Sequence, residues 1–95
     1  MATPMMDQKD LIMFFEAVLN LETVEECGAF FEDICTIGEL QALAQRLQVA
    51  KLLREKKTYQ CISKETGAST ATISRVNRCV VYGAGGYNLV LDRLK

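Results

Sequence analysis

A single proline, Pro4, occurs in 95 residues, and no other feature constrains the fold so strongly. From residue 5 onward no ring forbids a helix, and the strict apolar–polar alternation of a half-buried strand is scarce. Boundaries between helices must then come from caps and glycines. Thr23-x-x-Glu26 and Thr36-x-x-Glu39 both match a capping box, in which a threonine hydroxyl accepts from an orphan amide and the glutamate reaches back. Thr58 and Ser69 offer two further N-caps, with Gly67 between them where a chain leaving a helix favours the left-handed conformation.

These signals predict an all-α fold in one domain over residues 1–95. A first helix runs from about Gln8 to Leu19, with Leu11, Ile12, Phe15, Val18 and Leu19 forming a stripe that Met13 and Phe14 widen. The second starts at Thr23 and carries Val24, Cys27, Phe30, Phe31 and Ile34 inward. Within 36–57 lies a long scaffold helix, ending near Glu55, on which Leu40, Leu43, Leu47 and Ala50 recur at helical spacing. Residues 58–78 read as a helix-turn-helix: Tyr59 to Thr66, a turn of Gly67, Ala68 and Ser69, then Thr70 to about Arg78. Ile62, Ala68, Ile73 and Val76 are its inward positions, and Ser63 is small where the two helices approach. A last helix, Tyr87 to Leu94, carries Leu89, Val90, Leu91 and Leu94, which suit packing across a dimer.

Chemistry is limited by what is missing. The chain has no histidine, and its four cysteines, Cys27, Cys35, Cys61 and Cys79, form no C-x-x-C pair. Zinc-finger spacing is therefore absent, no metal site is expected, and free buried thiols are the simplest reading. No serine or cysteine has an activating base close in sequence, so no catalytic residue is expected and the chain does not read as an enzyme. No apolar run approaches the length of a bilayer crossing, and MATPMMDQKD lacks the basic and apolar regions of a signal peptide. A cytoplasmic protein with no membrane partner is expected.

Net charge is only −1, yet its distribution is lopsided. Residues 1–45 hold nine acids and one base, whereas residues 46–95 hold ten bases and three acids. Such a division lets one surface attract phosphate while another repels it. Lys56 and Lys57 follow the scaffold helix, and Arg75 and Arg78 lie on the second helix of the helix-turn-helix. On that helix Ile73 and Val76 define one side, while Thr70, Ala71, Ser74, Arg75 and Arg78 project to the other. Small residues allow close approach to a major groove, hydroxyls and arginines can bond base edges, and the free amides of the helix start suit phosphate.

The stretch TIGELQALAQRLQVAKLLREKKTYQCISKETGASTATISRVNR, Thr36 to Arg78, resembles the DNA-binding core of the Trp repressor-like family. GASTATISRVNRC, then YG and YNLVLDRL, resemble its YerC/YecD subgroup. The resemblance implies a helix-turn-helix domain in an intertwined homodimer that places two reading heads on successive major-groove faces. It also implies DNA-facing roles for Gln45, Gln60, Ser63, Thr70, Ala71 and Ser74, with Thr72 near the backbone. Lys56, Lys57 and Arg78 are expected on phosphates.

The family's repressor sandwiches a tryptophan between two arginines, and Arg46 and Arg75 fall on matching positions, as do Thr36 and Thr72. Two residues depart from that pattern. Val76 replaces a glycine and would crowd an indole, and Cys79 replaces a serine that helps to hold the amino group. Both changes argue against tryptophan as corepressor. They leave an altered effector pocket of Thr36, Arg46, Arg75, Val76 and Cys79 open to another small molecule, and no cofactor is otherwise expected. The leading function is a DNA-binding transcriptional regulator, a repressor by resemblance to its family, with double-stranded DNA and a second copy as partners. The alternative is a helical dimeric protein-interaction module that reads no DNA sequence, its acidic first half suiting a basic protein.

Overall fold

The computed structural model describes residues 8–94, and the N-terminal stretch inspected for a signal peptide lies outside them through Asp7. Among the described residues there are six helices and no strand: α1 (Lys9–Leu19), α2 (Val24–Ile34), α3 (Ile37–Arg54), α4 (Tyr59–Thr66), α5 (Thr70–Tyr82) and α6 (Gly86–Arg93). The chain divides into two compact units, one ending at Ile37 and the other beginning at Gly38.

In the first unit, α2 starts where its cap specifies. The Thr23 hydroxyl accepts from the Glu26 N–H at 3.0 Å. Glu26 reaches back as a capping box requires, but its Oε1 accepts from Glu22 N–H, one residue earlier than the box anticipates. A knot of rings holds the pair: Phe14 stacks near Phe30 with centroids 6.0 Å apart, and Phe30 meets Phe31 edge-on at 5.4 Å. The expectation that Val24, Cys27 and Ile34 point into a core is corrected, because all three are exposed and neither helix has a buried residue. Two helices with four phenylalanines can shield a few ring faces from water, but two helices alone cannot enclose a core.

The second unit has a real core, built from Val49, Ala50, Leu52, Ile62, Ala68, Ile73 and Val76, with Leu53, Val80, Tyr87 and Leu91 packed against it. The scaffold stripe needs correction here. Ala50 is buried, but Leu40 and Leu47 are only half-buried, Leu43 is exposed, and Val49 and Leu52 do the packing instead. Apolar residues lie on more than one side of α3, so periodicity alone could not select the inward side. At its end, Lys56 N–H donates to Leu53 carbonyl and Lys57 N–H to Leu52 carbonyl, a Schellman closure. The residue at the left-handed position is a lysine: Lys56 has φ 65°.

Helix α5 outruns its expected end at Arg78 and continues to Tyr82. Nothing in Cys79 to Tyr82 breaks a helix, and Val80 extends the side of Ile73 and Val76 at i+7 and i+4, where it meets the core. Gly83 then ends the helix, its N–H donating to the Cys79 carbonyl, against which a Cβ at this position would collide. Helix α6 returns along the unit and contributes Tyr87 and Leu91 to the core, so Leu91 is not free for a partner chain as anticipated. Leu89, Val90 and Leu94 remain exposed. Arg54 fastens α6 to α3, donating to the Asn88 carbonyl at 3.2 Å and pairing with Asp92, while the Asn88 amide donates to the Val80 carbonyl at 3.0 Å.

Candidate nucleic-acid interface

The α4–turn–α5 segment is fixed by local chemistry before packing begins. The Thr58 hydroxyl accepts from the Cys61 N–H at 3.1 Å and so starts α4. Gly67 ends that helix with φ 77°, a conformation glycine adopts without the steric penalty of a Cβ. Thr66 braces the turn: its hydroxyl donates to the Ile62 carbonyl at 2.7 Å and accepts from the Ala68 N–H at 3.1 Å. Ser69 then caps α5 by accepting from the Thr72 N–H at 3.1 Å, and its own hydroxyl donates to the Thr72 hydroxyl at 3.2 Å.

All four positions expected inward in this motif are buried. Ile62 and Ile73 are 0% exposed, Ala68 2% and Val76 3%. With α5 anchored through Ile73, Val76 and Val80, its opposite side stands in water: Thr70, Ala71, Ser74, Arg75 and Arg78 are all exposed. Gln60, Lys56 and Lys57 are exposed as well, whereas Ser63 and Thr72 are half-buried. Gln45 has a structural task, since its side-chain amide donates to the Thr66 carbonyl at 3.1 Å and ties α3 to the end of α4.

The residues considered for an effector are distributed unevenly. Thr36 belongs to the first unit, and Arg46, Arg75, Val76 and Cys79 to the second. Val76 is part of the core, so its isopropyl group occupies interior volume that a glycine would have left empty. Cys79 lines a mainly apolar cleft of about 560 Å³ with Leu47, Gly83, Ala84, Gly86, Tyr87 and Val90. Burial pushes the Tyr87 hydroxyl above its usual titration range, Cys79 adds to that shift, and Arg46 opposes it. Among the described residues no group of three acidic or sulfur side chains could hold a metal ion. No described helix is long and apolar enough to cross a membrane.

Sequence reasoning missed two side chains at the edge of this surface. Tyr59 and Lys64 line an open cleft of about 480 Å³ with Gln60, Ser63 and Thr70. Their spacing was a usable signal, since residues 59, 60, 63 and 64 share one side of a helix.

The model of the Trp repressor protein family matches residues 9–95. The YerC protein of Bacillus subtilis (strain 168) is 58% identical over 87 residues, covering 92% of this chain and 84% of its own. Among solved structures, a TrpR-like protein from Eubacterium eligens ATCC 27750 superposes with a TM-score of 0.92 at 48% identity, covering 96% of this chain and 94% of that one. A Staphylococcus aureus protein described as a candidate Trp repressor does so with a TM-score of 0.91 at 47% identity, covering 97% and 94%.

Proposed function

The chain belongs to the Trp repressor protein family, close to YerC, and we propose that it is a homodimeric, sequence-specific DNA-binding regulator, a repressor that works without catalysis. The observation that carries this reading is the division of α5 into a buried side, Ile73 and Val76, and an exposed side of small, hydroxylated and cationic residues. Any surface helix exposes a polar side, but this one carries no acidic residue and keeps the exposed residues of its first turn small. Laid in a major groove, Thr70, Ala71 and Ser74 meet base edges, while the capped start of α5, Arg78, Lys56 and Lys57 hold phosphates. Arg75 is long enough to reach either kind of partner. Gln60 and Ser63 on α4 border the groove, and Gln45 keeps the two helices in register.

The homodimer is supported by what one chain leaves in water. Leu19, Val24 and Tyr82 are 83%, 82% and 84% exposed, and Ile12, Met13, Phe15 and Ile37 are exposed too. So many large apolar side chains in water are costly in a free monomer and mark an interface. A second copy covers them and sets two reading heads about one turn of DNA apart.

Tryptophan is not the corepressor in this reading, because Val76 fills the space an indole would use. The apolar cleft beside Cys79 and Tyr87 suits a different small effector.

Selection of bound sites from random duplexes, followed by binding measured against salt, tests the proposal. The expected result is a two-fold symmetric site and a linear fall of log affinity with log salt, as phosphate neutralisation releases counterions. Insertion of about five base pairs between half-sites should abolish binding by rotating one to the far side. No enriched site, or tolerance of the insertion, would favour a protein-interaction module whose partner binds the acidic first half. Melting over a hundredfold dilution tests the dimer, since an obligate dimer loses stability on dilution.

A further inference from the structure

Tyr59, Gln60, Ser63 and Lys64 of α4 line one cleft with Thr70 at the start of α5, while Ile62 between them is fully buried. Gln60, Ser63 and Thr70 already belong to the proposed DNA-facing surface. Tyr59 and Lys64 bring to the same cleft an aromatic ring and a cation. Glu65, the acid next in sequence, turns toward Cys61, whose thiol lies 3.7 Å from its Oε1. Among the described residues, Lys64 has no ion-pair partner, whereas Arg54 is paired with Asp92.

The cleft lies beside the reading side of α5, since Thr70 lines it but Ala71, Ser74 and Arg78 do not. A duplex docked on those three residues would bring its flanking strand to the cleft, with Thr70 on the border between backbone and base edges. The first helix of such a motif crosses the DNA backbone while the second lies in the groove. We propose that the cleft grips one deoxyribose–phosphate unit in each half-site, with Lys64 neutralising the phosphate and the Tyr59 ring packed against the sugar. This inference rests on the DNA-binding reading above. Its consequence is uniform: the clamp strengthens the hold on any duplex alike and reads no base itself, so base choice stays with α5.

The test uses the full chain and its selected duplex, with single backbone phosphates replaced in turn by neutral methylphosphonates. In the wild type, one replacement per half-site should weaken binding strongly, and in Lys64→Ala that same replacement should cost nothing further. Lys64→Ala should weaken the selected and a scrambled duplex by the same factor, and its salt slope should fall by about 0.9 for each phosphate that is no longer neutralised. Tyr59→Ala should lower both affinities with the slope unchanged, and Tyr59→Phe should retain binding. Lys64 is exposed on a helix, where alanine is well tolerated, and Lys64→Gln provides a second variant that keeps most of the side-chain length. A changed base preference in Lys64→Ala, or fully additive losses at every phosphate, would overturn the clamp. Wild-type binding with normal salt dependence, unchanged in both Lys64 variants, would overturn the clamp alone. Wild-type protein without salt-dependent duplex binding would overturn both this inference and the reading beneath it.

Discussion

Replacing Lys56 by glycine should stabilise the protein while weakening its hold on DNA. Lys56 has φ 65° at the end of α3, where its N–H donates to Leu53 and the next N–H donates to Leu52. A Cβ in the left-handed region costs about 1–2 kcal/mol, and glycine removes that penalty. Glycine also loses more chain freedom on folding, which returns about 0.5–1 kcal/mol. The side chain is exposed, so its removal takes little packing with it. Taken at their midpoints the two terms leave a net gain of about 0.75 kcal/mol, or roughly 3–6 °C in melting temperature for a chain of this size. Thermal melts of Lys56→Gly, Lys56→Ala and wild type at one fixed concentration measure it. Alanine keeps its Cβ in the same region and should give no comparable gain. The same glycine variant should lose about 0.9 of the salt slope for each phosphate that Lys56 neutralises, so stability and binding move in opposite directions. A Lys56→Gly protein that melts at or below the wild-type temperature would refute the argument from strain. A stabilised variant with an unchanged salt slope would mean that Lys56 touches no phosphate.

Other perturbations probe the cap, the cleft and the effector. Ser69→Ala should cost about 1 kcal/mol by denaturant titration, because the Thr72 N–H loses its acceptor at the start of α5. Tyr87 has a raised titration range, so the folded chain keeps its proton after the unfolded chain has lost it. Its contribution should be complete below about pH 10 and should fade as pH climbs through the raised folded value, a fall that Tyr87→Phe should lack when the two proteins' stabilities are compared against pH. Calorimetry with L-tryptophan should show no saturable heat for the wild type. Val76→Gly combined with Cys79→Ser should recover some if the Val76 side chain is the obstacle, although opening the core there should also lower the melting temperature.

Sequence alone determined the features that depend on neighbours within a few residues. Thr58, Gly67 and Ser69 act through hydrogen bonds and backbone angles that a hexapeptide can specify, and so the limits of α4, the turn and the start of α5 were legible. Ile62, Ile73 and Val76 were legible for a related reason: each short helix has a single apolar side, so there is one way to turn it inward. Tertiary structure decided wherever the chain offered two apolar sides or no boundary at all. On α3, Leu43 and Val49 are equally good hydrophobes, and only the arrival of α4 and α5 on one side makes Val49 the buried one. Helix α5 runs to Tyr82 because Val80 finds the core, and α6 gives it Tyr87 and Leu91 because Arg54 and Asn88 hold it there. The left-handed Lys56 and the cleft shared by Tyr59, Lys64 and Thr70 belong to the same class. Both arise where one helix ends and another must turn back against it, and that geometry depends on contacts between residues that no local pattern connects.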